Sequence, residues 1–221
     1  MALNKLKFNS LNVTPTAGKA VGFNSDADGL EATFSGGAMT FIKKLTASDS
    51  ATLSFLNGSS DVVLDSTYKE YIFTFKDIHP AANNSSTYFS FQADTGTNTS
   101  YNQTITSTHF RAASQESGAN ANLSYATDQD QAQATGFQNL AYAVGGNADE
   151  SIAGFLHLFN PSSSTFVKHF IARCNVYYEG DYSMDSFTAG YFNTTTALTR
   201  VQFKMSGGNI EAGDICLYGI N

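Results

Sequence analysis

From residue 39 onward, short runs in which apolar and polar side chains alternate return about every dozen residues, each closed by Asn, Gly, Asp or Pro. This rhythm constrains the fold more than any other feature, because a period of two places one face of a strand in a core and the other in solvent. Met39–Lys43, Ala51–Leu56, Tyr68–Phe75, Tyr88–Gln92, Ile105–Ala112, Asp185–Asn193, Thr199–Met205 and Ile210–Ile220 all carry it. The clearest case is Gly154–Cys174, two apolar runs rich in aromatic and β-branched residues joined across Asn160-Pro161 and three serines. It predicts strand, turn, strand, forming the central pair of a sandwich. Turn signals this frequent favour an all-β fold, a jelly-roll-like antiparallel β-sandwich, over any helical class.

At 221 residues and 42% hydrophobic, the chain can bury a substantial core within one main domain, taken as residues 38–221. Charged residues are only 14% of it, against about 25% in ordinary proteins. Ser, Thr and Asn fill the gap, a bias shared by durable β-proteins and by loops that hydrogen-bond sugars. A net charge of -7, with no basic cluster beyond Lys43-Lys44, argues against nucleic acid or a membrane surface as partner. No stretch approaches the ~20 apolar residues of a spanning helix, and Met1–Lys5 lacks the order of a secretion signal. Synthesis in a cytoplasm, without membrane insertion, is the expectation. Cys174 and Cys216 both fall in predicted strands and are read as free thiols behaving as small hydrophobes, the alternative being a disulfide, which requires adjacent strands at ~5.5 Å Cα separation.

Residues 1–37 differ in style. Leu6–Ser10 and Val21–Ser25 echo one another around the turn residues Thr14–Gly18, which predicts two short strands forming an arm. With so little apolar area of its own, such an arm must pack on another surface, and Phe8, Phe23 and Leu30 are its candidate anchors. Asp26, Asp28 and Glu31 alternate around Gly29, but the loop lacks the acidic spacing of an EF-hand and reads as a solvated turn. The least hydrophobic region, Ser114 to Gln138, is expected to be an exposed crossing loop. The last apolar run, Ile210–Ile220, is expected to be sheet-paired in the core.

Few groups suggest chemistry. His157 and His169 flank one turn, and with His109 or Asp149 they could form a metal site. Separate hydrogen-bonded histidines in a polar-walled sheet account for them better. The serine-rich turns lack a Gly-x-Ser-x-Gly elbow, and the close acidic pairs, Glu179 with Asp181 and Asp149 with Glu150, read as turns rather than a glycosidase dyad. No enzyme and no cofactor is expected. The best candidate binding feature is the turn Tyr177, Tyr178, Glu179, Asp181 and Tyr182, three tyrosines among acids, since sugar sites need aromatic platforms with polar neighbours.

Several segments together resemble a known family: Asp65–Tyr71, Ile78-His79-Pro80, Thr108–Ala112, His157–Ser163, Lys168-His169-Phe170 and Met205–Ile220. With Met39–Lys43, this pattern is similar to virion structural proteins of marine tailed bacteriophages, and it covers nearly the whole chain from residue 39. Leu11–Pro15 with Phe23–Glu31 looks like the attachment end of phage fibre-type proteins. The resemblance implies a virion component of fibre, adhesin or decoration type and brings no catalytic motif. Edge strands that need covering and the gain from symmetric weak contacts suggest a homo-oligomer, with a trimer expected. The implied partners are other virion proteins and a host-surface glycan or protein.

Overall fold

The computed structural model describes residues 20–23, 26, 28–34, 38–82, 87–178 and 180–220. By packing, the chain divides into two compact units, residues 1–40 and 41–221. In the first, β1 (Ala20–Phe23) pairs antiparallel with β2 (Leu30–Phe34), Phe23 opposite Leu30. Both anchor side chains are exposed, Phe23 the more so. The strand expected at Val21–Ser25 exists as β1, and among the described residues it pairs across the Asp28-Gly29 turn. Leu6–Ser10 and Phe8 lie outside the described residues.

The second unit is an antiparallel β-sandwich, as the alternation predicts. Its strands are β3 (Met39–Thr46), β4 (Leu53–Leu56), β5 (Glu70–Pro80), β6 (Phe89–Thr95), β7 (Ile105–Gln115), β8 (Ala121–Tyr125), β9 (Ala132–Ala134) and β10 (Gln138–Ala141). They continue with β11 (Ile152–Phe159), β12 (Lys168–Tyr178), β13 (Tyr182–Phe192), β14 (Leu198–Met205) and β15 (Ile210–Ile220). The large sheet runs β3-β15-β5-β11-β12-β13-β7-β8, with β9 also on β7, and the small sheet runs β10-β6-β14-β4. This order is compatible with a jelly roll. β11 and β12 are the hairpin read at Gly154–Cys174, and they occupy the middle of the large sheet.

Every second residue of the central strands enters the core. Tyr71, Phe73 and Phe75 of β5, Leu156 and Leu158 of β11, and Phe170, Ala172 and Cys174 of β12 are buried. Phe203 of β14 sits at the centre, with ring centroids 5.3 Å from Phe73, 5.4 Å from Phe75 and 5.8 Å from Phe89. Edge and stacked ring pairs at this spacing add to the area they bury, so the two sheets are clamped by aromatic contacts. The terminal strand β15 lies between β3 and β5 with Ile215 and Leu217 fully buried.

The region Ser114 to Gln138 corrects the sequence reading: it supplies β8, β9 and the start of β10 instead of one crossing loop. β8 and β9 sit at the sheet edge with almost every residue exposed, so no apolar alternation marks them. β6 is buried on both faces because loops cover the outer side of the small sheet. There, Gln92 Nε2 donates to the carbonyls of Gln103, Thr135 and Gly136 at 3.0, 3.2 and 2.8 Å. The fully buried Asp94 carboxylate accepts from the Tyr101 amide, Asn98 Nδ2 and Gln103 Nε2 at 2.8 to 2.9 Å. Buried polar groups here are satisfied by loop backbone, as burial demands.

Candidate binding cleft

At one end of the sandwich, the β12–β13 hairpin stops at the pair Tyr178 and Tyr182. The intervening turn needs left-handed backbone, with φ of 92° at Gly180 and 62° at Asp181. Its two flanking tyrosines stand edge to face at 5.6 Å, and Tyr178 stacks with Tyr142, which follows β10, at 6.1 Å. Tyr88 extends this row, 5.3 Å from Tyr142. From β7, Arg111 places its guanidinium carbon 4.1 Å above the Tyr142 ring. β8 completes the walls, because its register sets Ser124 opposite Arg111 and Asn122 opposite Ala113. The result is a cleft of about 270 Å³ lined by Arg111, Asn122, Ser124, Tyr142, Tyr178 and Tyr182.

Its chemistry follows from these groups. A guanidinium against an aromatic face is held by cation–π attraction and by burial of its plane, which fixes its direction. Arg111 Nη1 is shielded from water and has no hydrogen-bond partner among the described residues. Tyrosine rings offer flat apolar platforms with a polar tip, and Asn122 and Ser124 add donors and acceptors. Such a set suits a polyhydroxylated ligand bearing an acceptor-rich group.

Of the five residues read as a tyrosine turn, Tyr178 and Tyr182 enter the cleft. Tyr177 does not: its hydroxyl donates to Asp181 Oδ1 at 3.2 Å, and burial, with Glu116 and Asp181 nearby, holds its phenol above the usual range. Asp181 is exposed on the turn, and Glu179 lies outside the described residues. Arg111, Tyr142, Asn122 and Ser124 were not singled out in the sequence. Arg111 alternates with His109 along β7, the one local sign that this strand turns polar groups inward.

The three histidines do not meet. His109 is fully buried on the inner face, its Nδ1 2.9 Å from Thr188 Oγ1 and its Nε2 without a partner among the described residues. Burial above all, then the Arg111 charge, pushes its pKa down to about 4. His157 and His169 alternate with inward residues and so occupy the opposite face. His157 Nε2 lies 3.0 Å from Glu70 Oε2, at an angle that makes no hydrogen bond, and His169 stands 5.9 Å from the Tyr191 ring. Among the described residues no group of three His, Cys, Asp or Glu side chains is placed to hold a metal ion.

Beside His109, the core is polar. Ser107 Oγ donates to Gln138 Oε1 at 2.6 Å, Asn139 Nδ2 to Gln129 Oε1 at 2.7 Å, and Ser90 Oγ to Asn139 Oδ1 at 2.7 Å. Lys168, fully buried, donates to the carbonyls of Phe166 and Thr194, and desolvation lowers its pKa. Both cysteines are free: Cys174 is buried on β12, and Cys216 is half-buried on β15, three strands away across the sheet order. The Thr188–His109 pair is sealed from solvent, so a substrate has no route to it. Compared with known proteins, the chain matches no family model, no curated protein and no solved structure.

Proposed function

We propose that this chain is a non-enzymatic structural component of a tailed-phage virion, a fibre- or adhesin-type protein that contacts the host surface. Its sandwich, read as a jelly roll, attaches to the particle through residues 1–37 and works as a homo-oligomer, with a trimer expected. The observation that carries the host-contact part is the cleft, where an oriented guanidinium and three tyrosines converge at an open end of a rigid scaffold. Rims of sandwiches suit recognition because loops there vary without disturbing the core. The resemblance of the chain from Met39 onward to phage virion proteins supports the particle assignment.

The proposed ligand is a host-surface saccharide. Purified protein should bind a subset of glycans on an array and compete with phage adsorption to cells. Arg111→Ala and Tyr142→Ala should each weaken glycan binding by at least about tenfold, the loss of one good polar or stacking contact. Absence of any glycan signal, or of any effect from these substitutions, would sink the adhesin reading. The second reading is capsid decoration, favoured by the apolar outer face of the large sheet, which would suit clamping of neighbouring subunits. Binding only to preformed capsids would select it.

A further inference from the structure

The outward positions of the large sheet carry a strip that no part of the described chain covers. In register across five strands lie Phe155 on β11, Arg173 on β12, Phe187 on β13, Phe110 on β7 and Tyr125 on β8. Phe110 and Phe187 stack in parallel, 4.7 Å apart with 4° between planes, giving a flat aromatic surface. Ile171 and Leu123 extend it, and the large apolar side chains Phe110, Leu123, Tyr125, Phe155 and Ile171 are between 39% and 72% exposed. Ile171, 50% exposed, projects between two grooves of about 450 and 370 Å³ and lines both.

The geometry points to a second copy of this chain as the occupant of that face. With about 200 Å² for a fully exposed large side chain, these five present roughly 500 Å² of apolar surface. A standard stable interface takes about 800 Å² per partner, a little over half of it apolar. The strip therefore supplies the apolar share of one such interface. Its shape permits a reciprocal fit: Ile171 projects beside two grooves with room for a side chain, so a two-fold related copy can insert the same residue in return. Charge selects the same partner. The strip's Arg173 is neutralised by a bidentate pair with Asp185, Nε donating to Oδ1 at 3.1 Å and Nη2 to Oδ2 at 2.6 Å, so it offers no net charge to a cationic or anionic partner. Two chains of net charge -7 repel over most of their surfaces and approach best through a neutral apolar one.

This inference rests on the homo-oligomeric part of the proposed function, makes the pairing two-fold in place of the expected trimer, and names its surface. Sedimentation equilibrium on the full chain should show a reversible oligomer at micromolar concentration. Ile171→Lys and Phe155→Lys should each weaken association by at least about 100-fold, with unchanged far-ultraviolet circular dichroism. Ile171→Ser, a milder change, should weaken it in the same direction if a lysine impairs folding. Phe166→Lys, in the loop between β11 and β12 and 68% exposed, should leave the mass unchanged. A wild-type chain that stays monomeric at about 100 µM, a concentration at which even weak pairs associate, overturns the inference, as does association insensitive to Ile171 and Phe155. A monomer that is nonetheless found in virions would overturn this interface alone. An oligomer absent from virions would overturn the particle assignment and leave the interface standing.

Discussion

His109 turns burial into a pH dependence. Buried beside Arg111, with Asp128 and Asp130 only partly offsetting that charge, it has a pKa of about 4 in the fold against 6.5 when free. A depressed folded value means that the fold favours the neutral ring. The resulting stability is complete above pH 6.5 and drains away as pH falls from there through about 4. A shift of this size corresponds to about 3 kcal/mol. Calorimetry should show melting temperature falling across that window, and His109→Gln should flatten the slope there. Phe203 makes the opposite kind of contribution, independent of pH. It touches Phe73, Phe75 and Phe89 and is fully buried, so Phe203→Ala should cost about 3–5 kcal/mol in denaturant unfolding.

At the scale of elements, the sheet is held by close strand approach as well as by side chains. A Cβ on Gly190 of β13 would lie 2.6 Å from the Thr106 carbonyl oxygen and 2.8 Å from Phe170 Cζ, so backbone would have to move. Gly190→Ala should destabilise the fold by about 2 kcal/mol, measurable by chemical denaturation. The closing strand gives a sharper test. Ending the chain after Gly213 removes Ile215 and Leu217 and uncovers the backbone of both β3 and β5, so the truncated protein should not melt cooperatively. β5, β14 and β15 were legible because their inward residues are mostly aromatic or branched and most of those between are polar, and β11 and β12 because two apolar runs flank one clear turn. β8 and β9 were hidden because an edge strand with solvent on both sides needs no such pattern, and β10 because its buried Gln138 is satisfied by hydrogen bonds. The same logic divides the cleft. Tyr178 and Tyr182 stand four residues apart and could be read together, whereas Arg111 and Tyr142 meet only through strand register and sandwich closure.

For the whole molecule, charge is sparse and in modest acidic excess, with a net charge of -7. Added salt screens repulsion between like-charged copies while strengthening apolar contact. Self-association through the outer face should therefore tighten between low and high ionic strength, read by sedimentation, whereas a charge-paired interface would loosen. The two thiols give the fold a further property. Cys174 is enclosed beneath the central sheet and its thiol is pushed far above the ordinary range by burial, while Cys216 is only half-covered. An alkylating reagent thus meets Cys216 in the native state but reaches Cys174 only when β12 parts from its neighbours. The rate at which Cys174 is modified becomes a clock for how often the sandwich opens, carried within the chain itself.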